Sequence, residues 1–262
     1  MPQPRLRCCS TQPDYRGLIR TVSQTGSTNA DLATRIASGD PVAEGEWLVA
    51  DRQTAGRGRQ GRAWFDGLGN FMGSTVVRLG PGDPFAGTLA LVAGLAVYET
   101  IAPLVPPLHR PLLKWPNDVM IGPAKLCGIL LERSGDWVVI GIGVNLAAAP
   151  PVAGRETIAL SAFGPAPDRD VFAAALAAQF EAEVQRWRSA GLAPLVSRWL
   201  AAGHPLGTPL QVGEPGEEAL HGEFAGLTSD GALQLRLTDG TTRVIHAGEV
   251  RLAGAPRAAD DR

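Results

Sequence analysis

The twelve residues Gln53–Trp64, Gln-Thr-Ala-Gly-Arg-Gly-Arg-Gln-Gly-Arg-Ala-Trp, cannot join a packed core, so the fold has to be arranged around them. Gly56, Gly58 and Gly61 alternate with Arg57, Arg59 and Arg62, and Arg52 lies just upstream. Such a run is flexible and cationic. Its glycines let backbone N–H groups approach an anion, and each guanidinium can grip a carboxylate or phosphate through two hydrogen bonds. It is not a Walker loop, because no Gly-Lys-Ser/Thr closes it and no predicted helix follows directly. Alone, the run also fits a solvated basic loop or an arginine-glycine tract for RNA. Its place between two predicted strands, and the closing Trp64, count against both.

Further along, Lys114-Trp115-Pro116-Asn117-Asp118 and Lys125-Leu-Cys-Gly128-Ile-Leu130 bring two lysines, an amide and a carboxylate within twelve positions. Lys114 ends an apolar strand and Pro116 forces a turn. A strand end is where a rigid scaffold presents polar groups, and Asp118 there can hold Mg²⁺, which bridges phosphates. A plain turn with an Asn-Asp pair is the other reading. Lys125 opens the next strand, placed to meet charge developing at a reacting centre, or else as a snorkelling edge lysine. Gly128 marks close approach by a ligand, or a bulge. Asn145 ends Val139-Ile-Gly-Ile-Gly-Val144, whose glycines leave room for another group. The histidines at 109, 204, 221 and 246 are too scattered for a triad or a zinc site.

Composition narrows the class. The 262 residues suffice for one large domain and a small one. With a net charge of −2, the chain is not a general nucleic-acid binder, so the arginine run is a local device. Cys8, Cys9 and Cys127 match no zinc or disulfide spacing, which suits a reducing cytoplasm, and Cys127 reads as a small core residue. The N-terminal residues lack the apolar segment of a secretory signal. The most apolar stretch, Phe85–Ile101, reads as a buried core helix rather than a membrane span.

The predicted order starts with a leader over 1–20 and a helix capped by Ser27-Thr28-Asn29 and stopped by Gly39. Strands follow at 47–50 and 71–79. Asp83-Pro84 is expected to open a helix running to Ile101. Short spacers between strands at 112–115, 119–121, 125–132 and 137–144 imply antiparallel hairpins. After a Pro/Ala/Gly loop over 147–167 come a helix over 169–189, capped by Asp168, and another over 194–202. Beyond Gly203 the texture changes to short alternating runs with Asp230-Gly231 and Asp239-Gly240 turns, a separate small β module. The domains expected are thus a leader (1–20), a catalytic domain (21–203), an SH3-sized β domain (207–255) and a tail (256–262).

Ser27-Thr28-Asn29, Gln53–Trp64, Lys114–Asp118, Lys125–Leu130 and Gly141–Asn145, in that order, resemble the biotin protein ligases over about residues 20–255. Gln60 stands where Arg is common, and Cys127 where a small residue is. The resemblance implies an α+β fold with a mixed, mainly antiparallel sheet and helices on one side. That core is like class II aminoacyl-tRNA synthetases, with an SH3-like barrel at the C-terminus. It implies that ATP and biotin give biotinyl-5′-AMP, and that the acyl group passes to a lysine of a biotin carboxyl carrier domain. By position it assigns Ser27, Thr28, Asn29, Gln53, Arg57, Gly58, Arg59, Lys125 and Gly128 to biotin. Arg62, Trp64, Lys114, Asn117 and Asn145 go to the nucleotide, Asp118 to Mg²⁺, and Lys125 and Arg59 to catalysis. It leaves a homodimer open and implies no membrane partner. Only 26 residues precede Ser27, against roughly 60 for a winged DNA-binding domain, so a ligase without a repressor role is expected. The competing readings are a lipoate or octanoate ligase of the same fold, an RNA-binding protein using the Arg/Gly run, and a non-catalytic biotin binder.

Overall fold

The computed structural model describes residues 18–152, 154–213 and 219–253. Residues 1–17 of the expected leader and the expected tail lie outside them. Residues 19 and 20, also expected in the leader, belong to strand β1 (Ile19–Val22), which runs parallel to β2 (Trp47–Ala50). Arg20 and Thr21 are exposed, so the segment carries no apolar signal of its own. Pairing with the buried β2 makes it a strand.

From β2 the seven-stranded sheet continues through β3 (Phe71–Arg78), β7 (Trp137–Val144), β6 (Ala124–Ser134), β5 (Asp118–Ile121) and β4 (Leu112–Lys114). Every pairing after β1–β2 is antiparallel, and for β4 to β7 the short spacers predict it. Alternate side chains divide the sheet into two faces. Trp47, Val49, Phe71, Val77, Val138, Ile140 and Ile142 join the main core with α2 (Leu89–Ile101), α3 (Arg169–Ala190) and α4 (Leu192–Ala202). Helix α2 buries eleven of its thirteen residues, which accounts for its all-round apolar character. On the other face Leu48, Val76 and Val139 pack against Leu32 of α1 (Thr28–Ser38). Past α1 the same rows turn to Ser74, Gly141 and Gly143, and the face opens into a trough.

Helix α2 begins at Leu89, not at Pro84 as the sequence suggests. The Asp83 carboxylate accepts from Gly80 N at 2.9 Å, closing a turn instead of capping a helix. Phe85 is non-helical (φ −54°, ψ 123°), which separates that turn from the helix. Asp168 does cap α3, accepting from the backbone N–H groups of Asp170 and Val171.

The C-terminal module is a five-stranded antiparallel sheet of β8 (Pro209–Gly213), β9 (Leu220–Leu227), β10 (Leu233–Leu237), β11 (Thr242–Ile245) and β12 (Glu249–Leu252). Its strand order is β11-β10-β9-β8-β12. Gly231 and Gly240, at φ +85° and +84°, supply the left-handed turn positions that the two Asp-Gly pairs signal. The module docks near β4. Trp115 Nε1 donates to Gly231 O at 3.1 Å, and the Phe224 ring packs edge-on to Trp199. This docking carries the start of β12 to the Gly/Arg loop.

Candidate functional site

The floor of the trough is glycine. Gly128 pairs with Gly143 across β6 and β7, and Gly141 lies two residues along on the same face. A Cβ at Gly143 would lie 2.3 Å from the Trp64 ring, and one at Gly141 only 2.4 Å from Asn29 Oδ1. At Gly128 it would come within 2.8 Å of Trp64. Side chains on these strands would fill the trough, so the glycines are there for space, the reading that close approach favours over a bulge. Trp64, assigned to the nucleotide by position, seats its ring on Gly128 and Gly143 beside the head of the trough. Its buried Nε1 has no hydrogen-bond partner among the described residues.

At that head the N-terminus of α1 meets β3. Thr28 N donates to Gln53 Oε1 at 2.8 Å, and the Thr28 and Ser74 hydroxyls lie 2.6 Å apart. Ser74 Oγ donates to Asn29 Oδ1 at 2.6 Å, and Asn29 Nδ2 donates to Glu132 Oε2 at 2.7 Å. Ser27, Thr28, Asn29, Gln53, Arg57, Gly58, Lys125 and Gly128 all line this cavity of about 50 Å³.

A second cavity of about 110 Å³ adjoins it, sharing Gly58, Trp64, Asn117 and Lys125. Arg59, Arg62, Lys114, Asp118, Asn145 and Arg155 complete much of its wall. Lys125 thus stands at the waist between a hydrogen-bonding chamber and a more strongly cationic one. Its Nζ donates to Asp118 Oδ1 at 2.5 Å, while Lys114 donates to Oδ2 at 3.1 Å. Burial pushes the Asp118 carboxyl up, but the charges of Lys125 and Lys114 outweigh it and hold the group well below the usual carboxylate range. Burial lowers Lys125 below the ordinary lysine value, with Asp118 opposing. Burial raises the Cys127 thiol far above its usual value, so it is inert core.

The Asp118 environment does not fit a direct Mg²⁺ ligand, because both oxygens are committed to ammonium groups. No cluster of three acidic, His or Cys side chains occurs among the described residues.

The Gly/Arg loop is a closed structure. Arg57 bridges Ala63, Gly58 N donates to Arg62 O at 2.7 Å, and Trp64 N to Gly56 O at 2.9 Å. Gln60 adopts φ +57°, in the left-handed region. The arginines point to partners across the site. Arg59 donates to Asn117 Oδ1 at 3.3 Å and to Gly248 O at 3.2 Å, and Arg62 to Glu249 Oε1 at 2.8 Å. Asn117 in turn donates to Ile129 O at 2.6 Å. Arg155 pairs with the same Glu249 oxygen at 3.0 Å. Its loop is fixed by Ile158 N donating to Lys125 O and by the Asn145 amide donating to Ile158 O.

Four residues of the site carry no sequence signal. Ser74 looks like one more residue of a buried strand and Glu132 like a polar strand end. Arg155 lies in the Pro/Ala/Gly loop, and Glu249 sits almost two hundred positions after the loop that it meets.

The biotin/lipoate A/B protein ligase family matches residues 23–145, and the biotin protein ligase C-terminal domain matches residues 206–252. The chain is 38% identical to the biotin–[acetyl-CoA-carboxylase] ligase of Paracoccus denitrificans, over 89% of this chain and 100% of that protein. It is 40% identical to the enzyme of the same name from Mycobacterium tuberculosis, over 88% of each chain. Among solved structures, the biotin protein ligase of Aquifex aeolicus in complex with biotin and ATP superposes with a TM-score of 0.78. That match has 26% identity and covers 90% of this chain and 99% of that one. With the glycine-floored trough, the cationic chamber beside it and both domains accounted for, the chain belongs to the biotin protein ligase family.

Proposed function

We infer that the protein activates biotin with ATP and transfers it to a lysine of a biotin carboxyl carrier domain. The observation that carries this reading is Lys125 at the junction of the two chambers. A biotin carboxylate oxygen attacks the α-phosphorus of ATP, the bond to pyrophosphate breaks, and biotinyl-5′-AMP forms. The lysine amine of the acceptor then attacks the acyl carbon and AMP leaves. The first step brings two anions together, so cations fixed at the meeting point lower its barrier. Lys125 and Arg59 take that place, with Arg62, Lys114, Asn117 and Asn145 on the nucleotide side. Thr28, Asn29, Gln53 and the backbone at Arg57 and Gly58 hold the head group, and Trp64 packs along it.

The polar head of the trough supports biotin over lipoate or octanoate, since a cyclic urea makes use of those donors and acceptors and an aliphatic chain leaves them unpaired. The inward partners of Arg59 and Arg62 support an active-site loop over an RNA tract. An ATP-supplied reducing compartment, the cytoplasm, suits the reaction and the free Cys127. The test is pyrophosphate release from ATP–Mg²⁺ with biotin, lipoate or octanoate. Release with biotin alone is expected. Release with lipoate or octanoate alone changes the substrate, and release with none removes the enzymatic reading.

A further inference from the structure

We propose that Glu132 is a positioning residue. It sets the direction of the hydrogen bonds through Asn29, Ser74 and Thr28, so that this end of the trough accepts hydrogen bonds from ligand N–H groups. The inference rests on the biotin reading for the ligand, and on the geometry of this chain for the rest.

The chain of bonds starts at a group that cannot donate. A carboxylate oxygen only accepts, so the Asn29 amide facing Glu132 at 2.7 Å must present its NH₂ there. The opposite orientation sets two acceptors against each other. Asn29 Oδ1 is then turned to Ser74, whose single hydroxyl hydrogen goes to it at 2.6 Å. With that hydrogen spent, Thr28 Oγ1 gives its single hydrogen to Ser74 at 2.6 Å in preference to Gln53 Oε1 at 3.1 Å, the shorter contact taking it. Thr28 Oγ1 is left with lone pairs, and the Gln53 carbonyl is held by the backbone N–H of Thr28. The trough therefore meets a ligand with acceptors at Thr28 and Ser74, which match the ring N–H groups of a cyclic urea.

Asn29 and Ser74 are buried, 4% and 0% exposed, so water does not compete inside the chain of bonds. Glu132 itself is exposed at the end of β6. The orientation of three buried groups is thus set from the surface. Gly141 makes it possible, since the Asn29 amide occupies the space that a Cβ there would need, its Oδ1 only 2.4 Å from that position.

Three variants test the direction, read as separate KM values for biotin and ATP in pyrophosphate release and checked for folding by thermal unfolding. Glu132→Gln still offers a carbonyl and is expected to keep the biotin KM within about twofold. Glu132→Lys can only donate, which turns the Asn29 amide over and reverses the chain. The biotin KM is expected to rise by more than about tenfold, with the ATP KM unchanged. Adding Asn29→Asp to Glu132→Lys restores an acceptor for Ser74 beside the new cation, and is expected to recover part of the loss. An unchanged biotin KM in Glu132→Lys overturns the proposal. So does a loss in Glu132→Gln as large as that in Glu132→Lys, because charge and not acceptor character then matters. If the unaltered protein shows no biotin-dependent release, it is the biotin reading that has failed, before any variant is compared.

Discussion

Lys125 Nζ lies 2.5 Å from Asp118 Oδ1, and Lys114 holds the other oxygen of the same carboxylate. One buried anion therefore positions Lys125 at the meeting point of the two chambers and Lys114 in the wall of the cationic one. On the proposed function, an incoming phosphate and carboxylate would find them already oriented, the arrangement that lowers a barrier without reorganisation during the reaction.

Lys125→Ala is predicted to cut the rate of adenylate formation by about 100-fold or more while biotin still binds. Rapid-quench pyrophosphate release and a biotin titration separate the two effects, and turnover near that of the unaltered protein would sink the role. The same residue predicts a pH limb. Burial lowers the Lys125 ammonium, so its charge is lost as pH rises through a value below that of an ordinary lysine. The alkaline decline in adenylation is expected below the usual lysine range, and Lys125→Arg is expected to move it upward.

Asp118→Asn removes the anion and leaves two ammonium groups facing each other in a buried site. A loss of about 3 kcal/mol is expected at neutral pH, from the cost of uncompensated buried charge. Because the folded carboxyl is held below its ordinary value, its contribution is complete above the ordinary carboxylate range. It is lost as pH falls through the depressed value. Denaturant unfolding at pH 7 and in acid should therefore show the gap to the unaltered protein closing only in acid. A gap that is the same at both would mean that the pair adds nothing.

Much of this was legible in the sequence, for physical reasons that differ by element. Trp137–Val144 appears with its bounds intact because an unbroken apolar run ends at Asn145 on one side and a turn on the other. Lys114, Asp118 and Lys125 stand close in sequence and meet in space because one tight turn joins β4 to β5 and another joins β5 to β6. The start of α2 was obscured because Asp83-Pro84 serves a turn as readily as a helix. Strand β1 and Glu249 were invisible because each owes its role to a distant partner, β2 in one case and the Gly/Arg loop in the other. Ser74 and Glu132 were missed because hydrogen-bond direction is a property of a chain of contacts, and no spacing records it.

Arg59→Gly is predicted to release biotinyl-5′-AMP before transfer. Arg59 spans from the loop to Asn117 and to the backbone of the C-terminal module, so its loss unties the loop that we propose covers the mixed anhydride. Labelling of lysines on an unrelated protein such as serum albumin should rise, and unchanged target selectivity would count against the covering role.

Glu249→Gln addresses the same loop from the other domain. Its carboxylate receives Arg62 at 2.8 Å and Arg155 at 3.0 Å, tying the Gly/Arg loop and the 150s loop to the start of β12. Arg62 is 45% exposed, so stability should change by less than about 1 kcal/mol. The kinetic effect should be of the same scale, because the tether acts through how long the loop stays closed. Free adenylate in single turnover is expected to rise about threefold, the scale of one exposed ion pair. Arg59 and Glu249 restrain one loop, so their effects should not add. The double variant Arg59→Gly/Glu249→Gln is expected to leak no more than Arg59→Gly alone. A leak equal to the product of the single effects would show that the two residues act on separate structures, and that the C-terminal module does not share in closing the site.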